Sequence, residues 1–121
     1  MSTQTILGTE VAEGATAILT FTIQDEDGVA IPGANLTTCV LTLYDQRSRE
    51  IINTQEATDI KALINGSGVG TIELEPADTV IVNQRRSLEV HVALIEWTYD
   101  GGTKTGKHEI LHTVRNLVKV A

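Results

Sequence analysis

With a single cysteine, Cys39, the chain cannot form an internal disulfide, so a staple framework of the kind that holds small secreted domains is excluded. Aromatic residues are almost as scarce. Phe21, Tyr44, Trp97 and Tyr99 are the whole set, too few for a stacking platform that would bind bases or sugars. Basic residues number 9 against 16 acidic, a net charge of −7, and the only adjacent basic pair is Arg85-Arg86. That balance lacks the footprint of a nucleic-acid binder and would be repelled by anionic lipid. The imbalance sits in the first half, where residues 1–61 carry 3 basic and 9 acidic side chains, against 6 and 7 in residues 62–121. No apolar run approaches the roughly 20 residues that span a bilayer. Met1-Ser2-Thr3-Gln4 does not begin a basic-then-apolar leader, so no signal peptide is expected and the chain is expected in a cytoplasm or in something assembled there. No repeat and no low-complexity linker breaks the 121 residues; one domain with one core is expected.

What is present is alternation. Leu88, Val90, Val92 and Leu94 occupy every second position and run on into Trp97 and Tyr99; after Asp100-Gly101-Gly102-Thr103 a second β-branched run ends in Leu117, Val118 and Val120. Two apolar runs around a Gly-Gly loop predict a long C-terminal β-hairpin. Upstream, Ala17, Leu19, Phe21 and Ile23 predict one buried face of a strand over 17–24, closed by the turn Asp25-Glu26-Asp27-Gly28 and by Ile31-Pro32-Gly33. Cys39, Leu41 and Leu43 predict the core face of a strand over 37–44, with Cys39 a small buried hydrophobe. A short strand is expected at Ile51-Ile52-Asn53, one or two helical turns within 57–64, and a strand over 68–74 with Ile72 and Leu74 inward, stopped by Pro76. Thr3, Thr5, Leu7 and Thr9 suggest that residues 1–15 form an arm or edge strand, leaving 16–121 as the domain proper. Short strands with turn chemistry between them predict an all-β fold, an antiparallel β-sandwich of about seven strands.

His108-Glu109-Ile110-Leu111-His112 spells the zinc-hydrolase pattern H-E-x-x-H. On a helix, positions four apart share a face, so both imidazoles reach one metal while the Glu acts as general base. The Gly-rich approach and the β-branched Thr and Val around it favour a strand, on which those positions lie ~13 Å apart. A third ligand is also missing, because none of the nine residues after His112 is His, Glu, Asp or Cys, and His91 would have to serve. A small zinc hydrolase is therefore the alternative reading, and the expectation is that His108 and His112 share one face of the last strand, solvated or in an interface. Asp25-Glu26-Asp27-Gly28 begins like a calcium loop, but Val29 follows and no Glu closes it. Gly66-Ser67-Gly68-Val69-Gly70 lacks the Lys-Ser/Thr of a phosphate cradle. Arg85-Arg86 could pair with an acidic neighbour, but solvation at the entry to a strand is the expectation. No catalytic residue, metal or cofactor is expected.

Several stretches resemble small immunoglobulin-like proteins encoded among the virion genes of tailed bacteriophages and prophages. They are Phe21-Thr22-Ile23-Gln24-Asp25-Glu26-Asp27-Gly28 with Ile31-Pro32, Leu41-Thr42-Leu43-Tyr44-Asp45, Ile51-Ile52-Asn53, His91-Val92-Ala93-Leu94-Ile95-Glu96-Trp97-Thr98-Tyr99, Gly101-Gly102-Thr103-Lys104 and Gly106-Lys107-His108-Glu109. The resemblance implies an immunoglobulin-like sandwich and a non-enzymatic, virion-structural role at the neck, tail or fibre attachment, or alternatively as a capsid decoration protein. The implied partners are other virion proteins and copies of the chain itself, with no nucleic acid, membrane or small-molecule substrate. If Leu88, Val90, Val92 and Leu94 fill the core, then His91, Ile95, Trp97 and Tyr99 form a second apolar face. Together with the hairpin tip Gly101-Gly102 that face is the expected docking surface, against the second sheet's edge or another subunit.

Overall fold

The computed structural model describes residues 2–6 and 10–117. Among these there are eight strands and no helix beyond short 3₁₀ turns, so the chain is all-β: β1 (Ser2–Ile6), β2 (Val11–Ala12), β3 (Ala17–Thr22), β4 (Leu36–Asp45), β5 (Thr58–Asp59), β6 (Val69–Leu74), β7 (Leu88–Tyr99) and β8 (Lys104–Arg115). The larger sheet runs β1-β8-β7-β4-β5, with β2 also pairing β8, and β3-β6 form a second sheet. The two sheets make a sandwich-like arrangement. One expectation is corrected. The larger sheet is mixed, because β1 and β2 both lie parallel to β8, Ser2 opposite Lys107 and Val11 opposite Val114. The amino-terminal arm is thus an edge strand on its own domain, while the Leu7 and Thr9 of its expected pattern lie outside the described residues.

The C-terminal hairpin is the frame. β7 and β8 pair from Leu88↔Arg115 to Tyr99↔Lys104 without a break. Asp100, Gly101 and Gly102 turn the chain with φ of 53°, 68° and 89°, a left-handed run that glycine enters without a Cβ penalty. The strand ends at Arg115, so Leu117 lies beyond it, and Val118 and Val120 are outside the described residues. β4 lies along the other side of β7, setting Cys39 opposite Trp97, Leu41 opposite Ile95 and Leu43 opposite Ala93.

Alternation places β3 as expected, with Leu19, Phe21 and Ile23 buried, and likewise Cys39, Leu41 and Leu43 of β4 and Ile72 and Leu74 of β6. Gly70 is a packing device: a Cβ there would stand 2.4 Å from the Phe21 ring. β6 ends at Leu74 and a 3₁₀ turn starts at Pro76, a ring that cannot donate to a ladder. Ile51 makes only an isolated bridge to Tyr44 in place of a strand, although Ile52 is buried. The helical spacing within 57–64 becomes β5 followed by one 3₁₀ turn, Lys61–Leu63.

The facing of β7 is the main correction. Glu89, His91, Ala93, Ile95, Trp97 and Tyr99 point into the sandwich, and Leu88, Val90, Val92 and Leu94 point away from it. Both sets are apolar enough to be core, so period-2 patterning does not choose between them. The pairing chooses. Trp97 lies opposite Gly106, where a Cβ would come 2.5 Å from the indole. Only the inward side of β8 offers the room that ring needs.

Candidate functional site

The motif His108-Glu109-Ile110-Leu111-His112 lies wholly within β8, extended, paired with β7 throughout and with β1 as far as Leu111. Its two histidines face the sandwich interior on the same side, ~13 Å apart along the strand. Two imidazoles four positions apart reach one zinc when the segment is a helix, and 104–115 is extended. Neither is solvated: His108 is 9% exposed and His112 1%. Burial lowers the affinity of both for a proton, His112 down to about 4, where the nearby His91 adds to the effect and the Ile110 backbone opposes it.

What the strand pairing does bring together is a buried polar cluster at the open end of the hairpin. His91 of β7 stands directly opposite His112 of β8. Their rings meet edge to face with centroids 5.8 Å apart. Glu89, two positions along β7, approaches His91 Nε2 to 2.9 Å. The same carboxylate accepts the backbone N–H of Val82 at 2.7 Å and of Asn83 at 2.8 Å. It thereby fastens the irregular 80–87 segment over the end of the sheet. From that segment the Arg86 guanidinium reaches Asp45 at 3.3 Å and Glu89 at 3.5 Å. Burial by itself pushes the Asp45 carboxyl up, but the Ser48 hydroxyl and backbone N–H, then Arg86 and His91, hold it below the usual range. Among the described residues, Nδ1 of His91 has no hydrogen-bond partner. Asn116 closes the hairpin base, donating to the Arg86 carbonyl at 3.0 Å.

Asp45, Glu89 and His91 offer ligand atoms within 4.8 Å of one another. The guanidinium of Arg86 already sits between the two carboxylates as their counter-cation, however, and their oxygens accept from Val82, Asn83 and Ser48. Those bonds hold the 80–87 and 46–48 segments, and a metal would compete with Arg86 for the same two carboxylates. Arg86 therefore departs from the expectation of a solvated pair, while Arg85 is exposed. Sequence reasoning passed over Glu89 and Asp45, and gave Arg86 an acidic partner only as the alternative to solvation. The available signal was an acid two positions from a histidine inside an apolar strand, just downstream of two arginines.

The expected docking surface divides. His91, Ile95, Trp97 and Tyr99 are core residues, Trp97 at 2% exposure, and the indole N–H donates to the Gln24 carbonyl at 3.3 Å. These four lie inside the sandwich and are covered by the domain itself. Gly101 and Gly102 remain exposed at the hairpin tip. Beside that tip, Asp25, Glu26 and Asp27 cluster, but Asp25 Oδ1 accepts from the Asp27 and Val29 N–H groups, and Lys104 pairs with Glu26 at 2.7 Å and Asp100 at 3.4 Å. The stretch is a turn tied to the hairpin by a lysine. Cys39 is fully buried, and burial, with Asp59 nearby, pushes its thiol up to about 12, so it holds no thiolate at neutral pH. A groove of about 490 Å³ beside β5 and β6 is lined by Leu41, Ile60 and Ile72 and contains neither His nor Cys. No helix of the described residues is long and apolar enough to cross a membrane. Compared with protein-family models, curated proteins and solved structures, the chain matches none.

Proposed function

We propose that the chain is a non-enzymatic structural module, an immunoglobulin-like docking domain of a tailed-bacteriophage virion at the neck, tail or fibre attachment. The observation that carries the non-catalytic part is the extended course of 104–115, which aims His108 and His112 into the core and away from any shared ion. The buried polar cluster supports it too, since each carboxylate there holds a backbone segment or a guanidinium in place. The virion setting rests on the resemblance of the turns and strand sequences to phage immunoglobulin-like proteins. Peptide mass spectrometry of particles purified after inducing a lysogen that encodes the chain tests the assignment. The expected result is co-purification with the particles at fixed stoichiometry, and persistent absence from intact particles would reject it. Tens of copies or fewer per particle fit a neck or tail position; hundreds would move the chain to the capsid surface as a decoration protein.

A further inference from the structure

A tight loop, 65–68, carries the chain from the 3₁₀ turn at Lys61–Leu63 into β6. Asn65 opens it and Gly66 follows, the one asparagine–glycine pair among the five asparagines of the chain. Asn65, Gly66 and Ser67 are all exposed. The Asn65 side chain is fixed, its Oδ1 accepting the Ser67 N–H at 2.9 Å and the Val69 N–H at 3.0 Å. The Gly66 N–H, by contrast, has no hydrogen-bond partner among the described residues. Nothing lies within 4 Å of the place a Cβ on Gly66 would occupy, so no side chain shields that peptide from water.

We infer that Asn65 is a site of covalent self-modification, deamidation through a succinimide closed by Gly66. Hydroxide takes the Gly66 N–H proton, and the nitrogen's electron pair forms a bond to Asn65 Cγ. The Cγ–Nδ2 bond breaks, the departing nitrogen takes a proton from water, and ammonia leaves. Water then opens the ring at either carbonyl, giving aspartate or isoaspartate. The loop favours the first step in two ways. The attacking nitrogen need not give up a hydrogen bond, and the Ser67 and Val69 N–H groups stand where negative charge gathers on Oδ1 as Cγ is attacked. Asn35, Asn53, Asn83 and Asn116 are followed by Leu36, Thr54, Gln84 and Leu117, whose side chains crowd the corresponding nitrogen. The two products differ in consequence. Isoaspartate runs the backbone through the former side chain and lengthens it by one carbon. At Asn65 that strains a pinned segment: its N–H donates to the Val69 carbonyl at 3.0 Å, and its carbonyl accepts from Gly33 at 3.0 Å and Gly68 at 3.1 Å. Gly33 in turn lies against the Ile64 carbonyl with no room for a Cβ. Isoaspartate therefore loosens this loop from the 32–35 segment, whereas aspartate keeps an acceptor oxygen for Ser67 and Val69. The inference is independent of the virion assignment, because it concerns the purified chain alone.

Peptide mass spectrometry of the full chain, incubated folded at mildly alkaline pH, tests it, with electron-transfer fragmentation to tell isoaspartate from aspartate. Asn65 is expected to convert first of the five asparagines, to both products. Gly66→Ala should slow that conversion by about tenfold. The variant is a fair one, since Gly66 has no positive φ and open space at its Cβ position. Asn65→Asp should melt like the wild type, while the isoaspartate form, separated by ion exchange, should melt lower and exchange the Gly33 amide hydrogen faster. Three results would each overturn the inference: conversion only after unfolding in urea, another asparagine converting as fast in the folded chain, or aspartate without isoaspartate, which would mean direct hydrolysis without the ring. A rate indifferent to Gly66→Ala would do the same.

Discussion

The inner face of the β7–β8 hairpin has two ends that solve opposite problems with the same alternation. Toward the tip, Trp97 and Ile95 meet Cys39 and Leu41 across β4, and the core there is closed by apolar volume. Toward the base, the same inward positions hold Glu89 and His91, facing His112 and Asp45, and the interior is closed by charge and hydrogen bonds. The first end gains from removing surface from water, at about 25 cal/mol per Å². The second avoids a penalty: its buried carboxylates are tolerable only because Arg86, Ser48 and two backbone N–H groups satisfy them. Apolar packing tolerates any occupant of about the right size, whereas a polar cluster depends on every member.

Three perturbations sharpen that contrast. Trp97→Ala strikes the apolar end and should cost about 3–5 kcal/mol, the usual loss for a large buried aromatic, read as a lowered midpoint in urea unfolding. Because the indole is buried in the monomer, the loss should appear in folding itself, before any assembly; an unchanged midpoint with impaired assembly would instead return Trp97 to an interface. Arg86→Ala strikes the polar end by leaving Asp45 and Glu89 without their cation. A loss of about 2–4 kcal/mol is expected, below the full range for a buried pair because Arg86 is partly exposed. Hydrogen exchange should rise first at Val82 and Asn83, whose N–H groups Glu89 holds.

The third perturbation is pH. The folded protein keeps His112 neutral down to about 4, against an ordinary 6.5 for the unfolded chain. Between those values the unfolded chain binds the proton more readily, so stability rises with pH there. The contribution is complete above about 6.5 and is lost as pH falls toward 4, an effect on the order of 2–3 kcal/mol for this shift. Thermal melting at pH 7.5, 5.5 and 4.5 should show the fall, and His112→Leu should flatten it. A wild type melting at one temperature across that window would show that the cluster does not sense protons.

Much of the architecture was legible because alternation is a local signal. Leu19, Phe21 and Ile23 could lie on one side of a strand and nowhere else, and the Gly101-Gly102 turn marked the hairpin. The same signal was mute wherever both faces of a strand were apolar. Leu88, Val90, Val92 and Leu94 looked as fit for the core as Ile95, Trp97 and Tyr99, and the difference was made by a glycine across the ladder at 106. The polar cluster was legible only in fragments, since Asp45, Arg86, Glu89, His91 and His112 come from three strands and a connecting segment, each unremarkable in its own neighbourhood.

By itself, then, the sequence determined that this chain is all-β, where its strands turn, and that its H-E-x-x-H stretch runs extended, because backbone preference and period-2 burial act between near neighbours. Only the tertiary structure decided which face of β7 turns inward, that β1 joins β8 in parallel, and that a half-buried arginine balances two buried acids beside a histidine pair. Those outcomes depend on which distant segments share a ladder and a volume, and short-range patterning carries no record of that.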